Sequence, residues 1–201
     1  MKLFLTSSGL VNKKLSDFFV SILPKEPKGC AVLMAAYDQT AEDIEHTIAA
    51  QGELRTAGIS KITIFNLADK VFSGTENKFD VIYVSGGNTF AILDRMKKTG
   101  FFDFVKKAVK EEAIYAGISA GSIIAGQSIE IAGWGSEGDE NEIGLADLSG
   151  LGFTDIAIYP HFWEEEKDEV DQFKKKADYP VVEITDDQAV YINGGANYQI
   201  I

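Results

Sequence analysis

The chain is poor in the residues that build metal centres, disulfide frameworks and anion-binding surfaces. Its 201 residues include one cysteine and two histidines, which excludes an intrachain disulfide and a multi-cysteine zinc site. Arginine is confined to Arg55 and Arg95, and 31 acidic against 19 basic residues leave a net charge of −12. That balance disfavours nucleic acid or an anionic membrane surface as a partner, because both need clustered Lys and Arg. Long apolar runs are missing as well. The N-terminal Met1-Lys2-Leu3-Phe4-Leu5-Thr6-Ser7-Ser8 is too short an apolar run for a signal peptide, and no segment is suited to span a membrane. A cytoplasmic location is the expectation. No linker, repeat or low-complexity segment interrupts the chain, so residues 1–201 are expected to form a single domain with a full core. Cys30, inside the apolar run Gly29-Cys30-Ala31-Val32-Leu33-Met34, reads as a buried thiol.

What is present is an alternation. Lys2 to Thr6, Ala31 to Ala35, Ile62 to Phe65, Val81 to Val84 and Ala113 to Ala116 are short apolar runs of strand character. Between them lie helical patterns: Leu15, Phe18, Phe19 and Ile22; then Thr40 to Ala57, with Ile44, Ile48 and Leu54 marking one face; then Asn88 to Lys98 and Phe101 to Lys110. Alternating strands and helices predict parallel strands with right-handed crossovers and helices on both faces. The expected architecture is a doubly wound, mostly parallel α/β sandwich. Ile129 to Leu148 reads as a Gly- and acid-rich loop or a pair of short strands. Ile156 to Tyr159 reads as a strand, Trp163 to Lys176 as a charged helix, and Val181 to Ile184 with Ala189 to Ile192 as a closing hairpin.

Gly117-Ile118-Ser119-Ala120-Gly121-Ser122 carries the chemistry. This G-x-S-x-G pattern follows a strand-like run and precedes a helix start, the setting of a serine held exposed on a sharp turn. Flanking glycines remove the Cβ atoms that would clash there. The alternative is a tight Gly-rich turn whose serine caps the helix. His161 follows a predicted strand ending at Pro160, so it belongs to the same carboxyl edge of the sheet, where functional groups of open α/β sheets gather. It is the candidate base for Ser119, the alternative being a loop histidine. His46, among acids on a helix, reads as a solvated surface residue. Ser85-Gly86-Gly87-Asn88-Thr89-Phe90 follows another strand end. Its glycine pair suits close approach of backbone N–H groups to an oxyanion, and Asn88 suits a helix cap; the two roles are compatible. No Gly-rich phosphate or dinucleotide motif opens a helix after the first strand.

Gly86-Gly87-Asn88-Thr89-Phe90, Gly117-Ile118-Ser119-Ala120-Gly121-Ser122, Leu151-Gly152-Phe153 and Pro160-His161-Phe162, in this order, resemble the dipeptidase E family of serine peptidases, which includes the cyanophycinases. The resemblance covers essentially the whole chain. It implies a fold like that of class I glutamine amidotransferases, with serine where those enzymes place cysteine. It also implies Ser119 as nucleophile, His161 as base, and Gly87 and Ala120 as oxyanion N–H donors. For the carboxylate that orients the histidine it offers two positions, Asp186 and Asp139, and motif context favours Asp186. The implied activity is cleavage of short peptides through an acyl-enzyme, with no metal or organic cofactor. The same residues would also serve an esterase or amidase, and the fold alone would serve a non-catalytic binding protein. One departure stands out. The family's aspartyl dipeptidases hold an acidic substrate side chain with arginines after the histidine, whereas this chain has Glu164-Glu165-Glu166-Lys167-Asp168-Glu169 there. Aspartyl peptides are therefore expected to be poor substrates, unless Lys174, Lys175 or Lys176 reaches the pocket.

Overall fold

The computed structural model describes residues 1–69, 71–73, 78–195 and 197–201. The chain runs β1 (Lys2–Thr6), α1 (Lys13–Ile22), β2 (Ala31–Ala36), α2 (Ala41–Thr56), β3 (Lys61–Asn66) and β4 (Val81–Val84). It continues with α3 (Thr89–Thr99), α4 (Phe101–Lys110), β5 (Ile114–Ile118), α5 (Ala120–Ile124), β6 (Ala157–Tyr159) and α6 (Lys167–Lys176). The last strands are β7 (Val181–Glu183), β8 (Ala189–Asn193) and β9 (Tyr198–Ile200). Seven strands form one sheet in the order β3-β2-β4-β5-β1-β8-β9, parallel except for β8 and β9, while β6 and β7 pair in parallel as a separate small sheet.

Strand side chains alternate between two cores, as the two-residue pleat requires. Leu3, Leu5, Leu33, Ala35, Ile82, Val84 and Tyr115 face the layer of α3, α4 and α6. Phe4, Val32, Met34, Val81, Tyr83, Ile114 and Ala116 face α1 and α2. Both sheet faces are covered, which is why these strands read as continuous apolar runs. Local signals place the helices: Asn12 caps α1 by accepting from Leu15 N at 2.9 Å, and a reciprocal Thr40–Asp43 box opens α2. Cys30 is buried and unpaired, and burial, with the Asp80 charge nearby, pushes its thiol pKa up.

Two expectations differ from the structure. Ile44 and Ile48 are about half exposed, and the inward face of α2 runs through Thr47, Ala50 and Leu54. Acids and alanines surround these positions, so apolar spacing alone was ambiguous about the buried stripe. Val181 to Ile184 does not form a hairpin with Ala189 to Ile192. β7 pairs with β6, while β8 crosses into the main sheet against β1 and forms its hairpin with β9. Sequence adjacency favoured the hairpin, but burial of Val190 and Ile192 beside β1 decides the pairing.

Candidate active site

Three strand ends meet at one edge of the sheet. β1 and β5 are parallel neighbours and end at Thr6 and Ile118, so Ser7 and Ser119 emerge side by side. β8 is antiparallel to β1 and starts opposite Thr6, which brings the preceding turn, with Asp186, to the same edge. The small sheet supplies the fourth piece. Beyond the β6–β7 ladder, Ile184 N–H donates to Tyr159 O at 3.0 Å and Phe162 N–H donates to Ile184 O at 3.1 Å. His161 is thereby held against Asp186.

Ser119 sits at φ 49°, ψ −111° and His161 at φ 56°; with Glu112 they are the only non-glycine residues of positive φ among the described residues. Such backbone conformations cost free energy and persist where the surroundings over-determine them. Here the fixings are explicit. Ser119 N–H donates to Thr6 O at 3.0 Å, and the buried Ser122 hydroxyl lies 2.7 Å from Thr6 O and 2.8 Å from Gly117 O. Tyr115 donates its hydroxyl to Gly121 O at 2.7 Å. A Cβ on Gly121 would collide with the Val84 carbonyl, so only glycine lets the turn pack against β4.

The Ser119 side chain makes no capping bond to α5. Its Oγ lies 2.9 Å from His161 Nε2, and His161 Nδ1 lies 2.6 Å from Asp186 Oδ1. An ionised carboxylate only accepts, so Nδ1 carries the proton and Nε2 is the acceptor facing the serine hydroxyl. Ser7 and Ser8 donate to the same Asp186 oxygen at 2.9 and 2.8 Å, and Ser7 Oγ also accepts His161 N–H at 2.7 Å. Partial burial pushes the Asp186 carboxyl pKa up, but hydrogen bonds from Ser8, His161 and Ser7 outweigh it and hold the pKa below the ordinary value.

Asp139 does not hold the imidazole. Its Oδ2 accepts Thr89 N–H at 2.8 Å at the start of α3, and its own N–H donates to Ala132 O at 2.7 Å. The loop from Ile129 to Leu148 ties Asp139 to the α3 end of the site, whereas Asp186 arrives with β7. Gly87 has φ +129°, a conformation only glycine adopts readily, and a Cβ on Gly86 would lie 3.3 Å from Ser119 Cβ. The Gly86–Gly87 turn therefore passes directly beside Ser119 while Asn88 caps α3 by accepting Ala91 N–H at 3.0 Å. Ala120 opens α5, where its N–H has no intrahelical acceptor. With five residues, α5 contributes those free N–H groups and little macrodipole.

Gly87, Ser119 and His161 line two cavities, one on each side. The first, about 290 Å³, is walled by Ser7, Ser8, Glu53, Tyr83 and, at the exposed end, His46. The second, about 330 Å³, is walled by the 131–139 loop and by residues 159–166. Sequence reasoning missed Ser7, Ser8, Glu53 and Tyr83. Ser7 and Ser8 carried one signal, a polar pair directly after the first strand. Among the described residues, no group of three or more His, Cys, Asp or Glu is arranged to hold a metal ion, and no helix is long and apolar enough to cross a membrane.

An open, doubly wound sheet whose edge carries a strained serine, an imidazole and a carboxylate in one hydrogen-bonded line has the architecture of a nucleophilic hydrolase. The particular group follows from the comparison with known families: residues 3–200 match the model of Peptidase family S51, and the chain belongs to that family of serine-type peptidases. Among similar proteins, the uncharacterized peptidase PM1590 of Pasteurella multocida is 31% identical over 110 residues, 55% of this chain and 48% of that protein. Peptidase E of Citrobacter koseri is 29% identical over 167 residues, 80% of this chain and 68% of its own length. The chain thus spans about half to two-thirds of the curated relatives it matches. The crystal structure of a candidate peptidase E from Listeria monocytogenes EGD-e superposes with a TM-score of 0.76 at 22% identity, covering 100% of this chain and 97% of that one. A peptidase from an acI-B1 Actinobacterium gives 0.71 at 17% identity, covering 100% and 86%. Both share the fold.

Proposed function

We propose that the chain is a serine peptidase that cleaves short peptides through an acyl-enzyme. The observation that carries this reading is the line Ser119 Oγ–His161 Nε2–His161 Nδ1–Asp186 Oδ1, with spacings of 2.9 and 2.6 Å. Ser119 Oγ attacks the scissile carbonyl carbon as His161 Nε2 takes its proton. Asp186 keeps the imidazole in the required tautomer and stabilises the imidazolium. The N–H groups of Gly87 and Ala120 stabilise the oxyanion. His161 then passes the proton to the leaving amine and the C–N bond breaks. Water, deprotonated by His161, attacks the resulting ester, and Ser119 departs with its proton restored.

Short substrates suit a site in which two cavities, about 290 and 330 Å³, open directly on either side of Ser119. The reading carries a cytoplasmic site of action, with residues 1–201 acting as one domain. Its test is fluorophosphonate labelling followed by peptide mapping, paired with dipeptide hydrolysis. Labelling confined to Ser119, with hydrolysis lost in Ser119→Ala and in His161→Ala, is the expected result. Each variant should lose at least about a thousandfold in kcat, and the double variant little more, because the members act as a unit. Absence of labelling would favour a binding protein, and turnover of esters without peptides would favour an esterase.

A further inference from the structure

The cavity on the loop side of Ser119 has walls of one charge. Glu137, Asp139 and Glu166 line it together with the rings of Trp134, Tyr159 and Trp163, and no lysine or arginine lines it among the described residues. Two of these acids are held in place. Glu166 accepts the Tyr159 hydroxyl at 3.1 Å and Trp163 N–H at 3.1 Å, and Asp139 accepts Thr89 N–H. Just behind, Glu169 Oε2 accepts Ser136 N–H at 2.9 Å and its backbone carbonyl accepts Trp134 Nε1–H at 2.7 Å. A second feature lies in the same wall. Thr89, fully buried in this wall, has a hydroxyl with no hydrogen-bond partner among the described residues.

The local field is negative. The Tyr159 phenol pKa is raised by burial and then by the charges of Glu166, Glu169 and Glu137. Two nearby lysines carry their own carboxylate partners. Lys174 pairs with Glu183, and Lys176 pairs with Glu130 at 2.6 Å. The Lys176 ammonium also lies 5.4 Å from the Trp134 ring centroid, so this indole already takes a cation on one face.

We infer that this cavity is the subsite for a positively charged substrate residue, a lysine or arginine next to the scissile bond. The inference rests on the peptidase reading above and names its substrate class. Carboxylates supply the charge complement, aromatic faces take the stem and the cation, and a neutral or acidic side chain would leave the acids uncompensated. The test is calorimetric titration of Ser119→Ala protein, which binds without turnover, with Lys-Leu, Leu-Lys, Met-Leu, Leu-Met and Asp-Leu. Methionine matches the lysine stem without its charge. The expected result is that one lysine dipeptide binds about five- to tenfold tighter than its methionine counterpart at low salt. Adding Glu137→Gln and Glu166→Gln should close that gap to about twofold. Equal binding of lysine and methionine peptides in both orders would overturn the inference, as would a gap that survives both substitutions or no binding of any dipeptide. Hydrolysis by the unmodified protein is scored separately. A binding preference without turnover would sink the peptidase reading and leave only the cavity's preference for a cationic side chain.

Discussion

The two sides of Ser119 are built by different means. On one side, Ser7, Ser8, Tyr83 and Gly86 come from the ends of β1 and β4, and Glu53 from α2. These positions are set by sheet pairing and by a core in which Tyr83 is 2% exposed. On the other side, apart from Tyr159 at the end of β6, the wall is mostly loop and short turns, from Ile131 to Asp139 and from Pro160 to Glu166, pinned by individual side-chain hydrogen bonds. Pairing of several strands holds a reacting group more rigidly than single contacts hold a loop. The difference places the proposed nucleophile and the serines that brace Asp186 on the scaffold side and substrate choice on the loop side, with His161 at the boundary between the two cavities.

The two aspartates offered by the family pattern give the sharpest way to break this comparison. Asp186→Asn keeps the shape but removes the acceptor-only partner of Nδ1, so kcat should fall by about ten-thousandfold. Asp139→Asn weakens the hold on Thr89 N–H at the start of α3, and its expected cost is about 1 kcal/mol of stability with a change in KM. Its loss in kcat should be at least about a hundredfold smaller than that of Asp186→Asn. Dipeptide kinetics and thermal melts of the two variants decide the matter, and comparable kcat losses would erase the proposed division.

Ser7→Ala sharpens it at smaller scale. The buried Ser7 hydroxyl donates to Asp186 and accepts His161 N–H, so its removal frees both groups. The expected loss is about tenfold in kcat, with roughly 1–3 kcal/mol of stability lost through the unpaired N–H. KM should hardly move. A KM effect larger than the kcat effect would assign Ser7 to substrate binding instead.

The smallest effect is on pH dependence. The Asp186 carboxyl is held below its ordinary pKa, so the folded chain binds this proton less readily than the unfolded chain. Its contribution to stability is therefore complete above the unfolded value of about 4, and is lost as pH falls from there through the lowered folded value. Because the side chain is half exposed, solvent limits the size of the term. Thermal melts of wild type and Asp186→Asn should differ most at neutral pH and converge towards pH 3. A gap that widened on acidification would contradict the sign of the shift.

Much of the fold was legible because local and tertiary preferences agree. Strands covered on both faces must be apolar throughout, and the helices between them carry their own caps at Asn12, Thr40 and Asn88. Where one residue type serves two environments, the pattern became ambiguous. Ile44 and Ile48 are spaced as a buried stripe yet lie outside it, and Val181 to Ile184 is as apolar as a hairpin strand yet pairs with β6.

By itself the sequence determined the alternating α/β architecture, the Ser119 turn and the shortage of imidazoles that left His161 as the candidate base. Each is a local property: a hydrophobic period, glycines where a Cβ would clash, and the identity of a side chain. The tertiary structure alone decided that Asp186, and not Asp139, stands at 2.6 Å from His161, and that Ser7 and Ser8 brace it. It also gathered Glu137, Asp139 and Glu166 around one cavity. These groups are distant in sequence, from Ser7 to Asp186, and their meeting follows from strand order and from the separate β6–β7 pairing. Strand order is set by burial over the whole sheet, which no local stretch of residues encodes.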